Sequence, residues 1–187
     1  MSLNNYESVP EFLYHDKIHA TLEDNVLGDA AKFLHVAEQD GYVLVCDDDL
    51  IYPPDYVEYM CDKVDEHNCP VSLLGKVYTD RPIKSFRTGY TELHRCLGEV
   101  DNDYLCDVIG TGAMAYHTDH IEVDISDFKM RNMADIWMAL LAHEQGVRLV
   151  AVQHTKGYVK HVTYEDRIWA GTVDDSVQTM ILNSFLK

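Results

Sequence analysis

Apolar positions along this chain alternate between continuous runs and helical stripes. Gly41-Tyr42-Val43-Leu44-Val45-Cys46 is unbroken apolar sequence between Asp40 and three aspartates, the pattern of a strand covered on both faces and therefore central in its sheet. Further strands are predicted over 71–78, over 104–110 leading into Gly110-Thr111-Gly112, over 113–117 as its continuation or its neighbour, and over 147–152, with a short one at 17–21. Helical spacing predicts a helix over 28–38, a second opened by Pro53-Pro54 and running to 66, and a third over 135–146 that stops at Gly146. A last helix is expected to cap the chain over 174–187. The polar stretch 79–103 reads as a long excursion, and neither repeat nor low-complexity linker interrupts the order. Strands alternating with helices predict one α/β domain over 1–187, with a mainly parallel central sheet and helices on both faces.

Composition narrows the partners. The 187 residues are 47% hydrophobic, enough for one substantial core, and carry a formal net charge of -17, which repels phosphate backbones and anionic lipid. Nucleic-acid binding is therefore not expected. An anionic small molecule remains compatible where a metal or a cluster of basic groups offsets the field. The five cysteines are odd in number and never spaced as CxxC, which points to a reduced, cytoplasmic setting. No apolar run approaches the roughly 20 residues of a membrane span, and the N-terminus lacks the basic and apolar regions of a signal peptide. Met1-Ser2-Leu3 has the look of an expression remnant and is left out of the fold expectation.

Asp47-Asp48-Asp49 carries the chemistry. The three carboxylates follow a buried strand directly, so they stand at its carboxyl end, where open α/β sheets bind ligands. Oxygen donors suit Mg²⁺ or Mn²⁺, and carboxylates spaced i, i+2 can divide their work between a nucleotide sugar and a metal bridging two phosphates. Such a site stabilises a departing nucleoside diphosphate. The simpler alternative is a solvated acidic turn that caps the following helix.

Gly28-Asp29-Ala30-Ala31-Lys32-Phe33, followed by the stretch from Gly41 through Asp47-Asp48-Asp49-Leu50-Ile51-Tyr52-Pro53-Pro54-Asp55-Tyr56-Val57, resembles a small group of GT-A glycosyltransferases. These are the majastridin-like and chlorovirus enzymes within the broad family-two-like class, and Asn4-Asn5-Tyr6 through Pro10-Glu11-Phe12-Leu13 is similar to the segment after their second strand. The resemblance spans 4–57 most strongly and extends to 158. It implies that Asp47, with its neighbour Asp48, contacts the nucleoside, that Asp49 ligates the metal with Asp47, and that Asp29 and Lys32 lie beside the base and ribose. Gly110-Thr111-Gly112 then lines the donor sugar, and Asp135 stands where inverting enzymes of this kind carry the base that deprotonates the acceptor hydroxyl. The implied reaction is transfer of a sugar from a nucleotide donor, a UDP-sugar foremost, to a glycan or other hydroxyl acceptor with Mn²⁺ or Mg²⁺. Those enzymes begin with an additional strand and helix that supply part of the nucleotide pocket, and the resemblance starts after them. An edge left open there would favour pairing with another chain, so a homo-oligomer is an expected partner state.

Each residue also has a purely structural reading. Asp135 precedes a helical stripe and suits an N-cap; Lys32 suits a solvated helix face; Gly110 and Gly112 suit a tight turn. His154, ahead of His161, is the candidate metal histidine after the last strand, against the ordinary reading of a surface loop residue. Tyr52, Trp137, Tyr158 and Trp169 could stack on a sugar or base, or simply pack. Two other functions compete: a nucleotide-sugar-binding domain without turnover, and a phosphatase of the haloacid-dehalogenase kind. Against the latter, Leu50-Ile51 stands where Gly-Thr normally follows the first aspartates, and the motif lies far from the start of the chain.

Overall fold

A computed structural model describes residues 1–162 and 174–187; Trp169 lies outside the described residues. Strands and helices follow in the order β1 (Ser2–Asn4), β2 (Thr21–Glu23), β3 (Tyr42–Cys46), β4 (Leu50–Ile51), α1 (Tyr56–His67), β5 (Val71–Ser72), β6 (Gly75–Val77), β7 (Glu92–His94), β8 (Tyr104–Cys106), β9 (Val108–Ile109), β10 (Ala113–His117), α2 (Ala134–Glu144), β11 (Leu149–Ala151), β12 (Lys160–His161) and α3 (Ser176–Phe185). The architecture is α/β with mixed sheets. The largest sheet runs β3-β10-β5-β11-β8, and only its β5–β11 pairing is parallel. The mainly parallel sheet expected from the sequence is thus not what the described strands form. Strand β10 follows β9 after a turn at Gly110–Gly112 and inserts antiparallel between β3 and β5, a topology that alternation of strand and helix patterns does not encode.

Side-chain alternation on β10 divides the core. Met114 and Tyr116 face a cluster with α2, Leu182 of α3 and Phe33, whereas Ala113 and Ala115 face a second cluster with Tyr56, Met60 and Val64 of α1. Helices therefore cover both faces of the sheet, as expected. Helix α1 ends where Asn68 adopts a left-handed conformation (φ 50°), and α2 is followed by Gly146 at φ +68°, both ordinary C-terminal stops.

Five other sequence expectations need correction. Strand β3 is an edge strand among the described residues, pairing only with β10, and its Tyr42 is 44% exposed. Its apolar run reflects helices and turns above and below it; hydrophobicity reports whether faces are covered, and says nothing of whether a second strand lies alongside. The segment 28–38 forms two 3₁₀ stretches, Gly28–Phe33 and Val36–Glu38, because Gly28 enters at φ +58° and the backbone bonds close over three residues, as from Leu34 N–H to Ala31 O. The segments 71–78 and 104–110 each break between two sheets. Gly75 lies at one crossing, where a Cβ would stand 2.4 Å from Cys106 Sγ, and Asp107 at the other, accepting from the Tyr78 N–H at 2.6 Å. Finally, Met1-Ser2-Leu3 belongs to the fold: β1 pairs in parallel with β2, and the Ser2 hydroxyl donates to Ala31 O at 2.7 Å. The short strand placed at 17–21 instead forms at Thr21–Glu23, where it has this partner.

Candidate functional site

The acidic turn stands at the carboxyl end of β3, facing the loop that opens β10. Asp47 N–H donates to Gly112 O at 2.9 Å, extending the β3–β10 ladder by one residue and bringing Asp47 against Gly110-Thr111-Gly112. The fit is close: a Cβ on Gly112 would lie 2.1 Å from Asp47 Oδ2. Gly112 has no positive φ, so the close approach to a carboxylate explains the glycine here, and unusual backbone does not. Tyr52 fastens the same junction, its hydroxyl accepting from Asp47 N–H at 2.8 Å and donating to Gly112 O. Its ring packs on Tyr56 at 4.6 Å, which leaves Tyr52 as a brace of the turn in place of the stacking platform considered from sequence. Burial first, with the neighbouring Cys46 and Asp47, pushes the Tyr52 phenol up, so it stays a neutral hydroxyl.

Lys32 is not a solvated helix lysine. Its ammonium donates to Asp47 Oδ1 at 2.7 Å, and its side chain is 17% exposed against 45% for Asp47. Asp48 is exposed at the apex of the turn. Asp49 Oδ2 lies 3.3 Å from His161 Nε2, because β12 pairs antiparallel with β4 and Val162 N–H donates to Asp49 O at 2.8 Å. The chain thus returns to the acidic turn through His161. His154 is held elsewhere: it is 6% exposed, its Nε2 is 3.0 Å from Leu73 O, and its main chain bridges Val100. A core histidine bonded to a carbonyl is the structural role the fold gives it. The placement of His161 beside Asp49 is not readable from the sequence, because β12 is only two residues long and has no period to read.

Asp135 is the second residue of α2 and does not cap it. Its Oδ1 accepts from both the N–H and the hydroxyl of buried Thr111, each at 2.8 Å, leaving Oδ2 without a protein partner among the described residues. The capping position is served from far away in sequence, by Asp29, whose Oδ2 accepts from Ala134 N–H at 3.0 Å. Burial raises the Asp29 carboxyl above the usual carboxylate range, opposed by the Ala134 N–H and by Lys32, and Asp135 adds to the rise. Lys76 on β6, which sequence reading passed over, lies in the field of Asp135 with its Nζ 3.7 Å from the Phe86 ring centroid. Burial lowers its pKa, Asp135 opposes that, and a lone lysine within the apolar 71–78 run was the signal for it. Trp137 donates its indole N–H to Met130 O at 3.1 Å, and Tyr158 packs near Tyr59, so both are packing residues in this structure.

The structure therefore brings Asp29, Lys32, Asp47, Gly110, Thr111, Gly112 and Asp135 into one connected cluster, with Asp49 and His161 beside it on the same turn. Chemically it offers carboxylate oxygens and an imidazole for a cation, an ammonium for an anion, and one carboxylate oxygen with an open lone pair. Among the described residues one other grouping has metal-ligand character: Glu66, His67 and Asp103, whose donor atoms lie within 4.8 Å of one another near the C-terminus of α1. Lys63 Nζ already occupies the cation position there, 2.7 Å from both carboxylates. No helix among the described residues is long and apolar enough to cross a membrane, and all five cysteines are free thiols. No family model matches the chain, and no curated protein matches it in sequence.

Proposed function

We propose that this chain is a metal-dependent glycosyltransferase domain of GT-A type that moves a sugar from a nucleotide-sugar donor, a UDP-sugar foremost, to a hydroxyl acceptor with inversion. The observation that carries the reading is the linkage of Lys32 to Asp47, of Asp47 to Gly112, and of Thr111 to Asp135 across four separate chain segments. An acidic turn serving only as a cap needs none of these partners. Asp49 and Asp47, with His161, are the groups that would hold Mn²⁺ or Mg²⁺, and the imidazole makes Mn²⁺ the better fit. The ion, when bound, supplies charge neutralisation for the departing diphosphate. The chain's own residues do the remaining work. Lys32 fixes the Asp47 carboxylate and adds positive charge beside it. The narrow Gly110-Thr111-Gly112 loop admits the donor against bare backbone. Thr111 holds Asp135 by one oxygen so that the other can accept the proton of an attacking hydroxyl.

Titration of UDP with and without Mn²⁺ tests the site. Metal-dependent binding to the wild type that Asp49→Ala removes is the expected result, and no binding under either condition sinks the reading. Binding without transfer to any acceptor leaves a nucleotide-sugar-binding module. The two histidines separate in the same experiment. His161→Ala is expected to weaken Mn²⁺-dependent binding by about tenfold to a hundredfold with little change in stability. His154→Ala is expected to spare binding and cost about 1–3 kcal/mol of stability, since it strips Leu73 O of its buried donor. The opposite assignment would restore His154 as the metal residue.

A further inference from the structure

We infer that Asp29 is a positioning residue for Asp135 and not a contact to the nucleotide. The catalytic consequence rests on the glycosyltransferase reading, whereas the geometry stands without it. Asp29 Oδ2 holds the Ala134 N–H at 3.0 Å, one residue before Asp135, at the first turn of α2, where an opening N–H has no carbonyl one turn earlier to bond. Asp29 N–H donates to Asn132 Oδ1 at 3.3 Å, and a Cβ on Gly28 would stand 2.4 Å from that same oxygen, so the two segments are in tight register. The 3₁₀ stretch Gly28–Phe33 consequently grips both halves of the site, the α2 terminus through Asp29 and the acidic turn through Lys32.

The second oxygen of Asp29 is the telling feature. Among the described residues Oδ1 is buried and has no partner at hydrogen-bond distance, with the Asn132 main chain as a polar neighbour in the field, and the Asp29 carboxyl also lies in the field of Asp135. A residue placed only to cap a helix would be better solvated or fully bonded. Asp135 adds to the rise of the Asp29 carboxyl, so the two carboxylates stand close enough to feel each other's charge. The charged groups facing the pair are Lys32 on the Asp29 side and Lys76 on the Asp135 side. Because burial raises the folded-state value of Asp29 above its unfolded one, its charged form is disfavoured by folding. The resulting stability is present below the unfolded carboxylate range and is lost as pH rises through the folded value. Asp29 thus costs stability at neutral pH while it serves Asp135.

The test compares Asp29→Asn and Asp29→Ala in the full chain. Both variants are expected to bind UDP with Mn²⁺ within about twofold of wild type, while Asp29→Ala lowers kcat by about 100-fold through a displaced Asp135. Asp29→Asn keeps an oxygen for Ala134 and sheds the charge, so its Tm at pH 7 should equal or exceed that of wild type. A rise in the UDP Kd in both variants would instead make Asp29 a donor contact and overturn the proposal. A reading independent of turnover comes from NMR: the Ala134 amide resonance should follow the titration of Asp29, and Asp135→Asn should lower its midpoint. An unmoved midpoint would also overturn it. Wild type that binds no UDP would defeat the glycosyltransferase reading alone, and the Ala134 titration would still decide the role of Asp29.

Discussion

Asp135→Asn is expected to lower kcat for sugar transfer by about 10²–10⁴-fold while metal-dependent UDP binding stays within about twofold of wild type. The amide preserves the oxygen that accepts from the Thr111 N–H and hydroxyl at 2.8 Å each, so the loop between β9 and β10 keeps its shape and the donor side is untouched. What changes is the free position: Oδ2, which has no protein partner among the described residues, becomes an NH₂ that donates and cannot accept a proton. A structural carboxylate at the start of a helix would behave differently. Its replacement by Asn, itself a good residue for helix starts, would cost a few tenths of a kcal/mol and leave turnover alone. Rates at saturating donor, alongside UDP titration, separate the two. Full activity in Asp135→Asn would remove it as the base, and loss of UDP binding would move it to the donor side.

What was legible in the sequence and what was not divide along a physical line. Helical spacing announced α1, opened by Pro53-Pro54, and α2, stopped at Gly146, since each signal is local and repeats every turn, and α3 falls within the capping helix expected over 174–187. The position of Asp47-Asp48-Asp49 was legible because a continuous apolar run marks a strand and the turn follows its end. The sheet was not: β10 inserts between β3 and β5 and pairs antiparallel with both, and pairing direction leaves no trace in hydrophobic period. Strands β5 and β6, or β8 and β9, are two or three residues each and pass between sheets at Gly75 and Asp107, too short for alternation to show. The candidate residues are named by the sequence, but the network that joins them is not. That Lys32 reaches Asp47 and that Asp29 serves α2, 105 residues away along the chain, are contacts no spacing rule contains. His161 was ranked behind His154 for the same reason. A histidine's neighbours in sequence do not say whether a carbonyl or a carboxylate awaits its ring.

Gly112→Ala is expected to remove metal-dependent UDP binding while leaving the fold nearly intact. Gly112 has no positive φ, so alanine meets no backbone penalty of the kind it would meet at Gly146, where φ is +68°. The conflict is with one side chain. The new methyl would stand 2.1 Å from Asp47 Oδ2 and 2.6 Å from its Cγ, and Asp47 must swing away. Swinging breaks the 2.7 Å pair with Lys32, the contact that aims the carboxylate. The cost in stability should be about 1–3 kcal/mol, the usual range for a methyl forced into a packed site, and less if Asp47 turns freely into solvent. Gly146→Ala provides the converse, a strained backbone with no atom within 4 Å of the added methyl, expected to lose about 1–2 kcal/mol and bind UDP normally. Denaturant unfolding and UDP titration on the two variants therefore report stability and binding separately. Wild-type binding by Gly112→Ala would show that the orientation of Asp47 does not matter to the ligand, and the first aspartate of the turn would lose its assigned role.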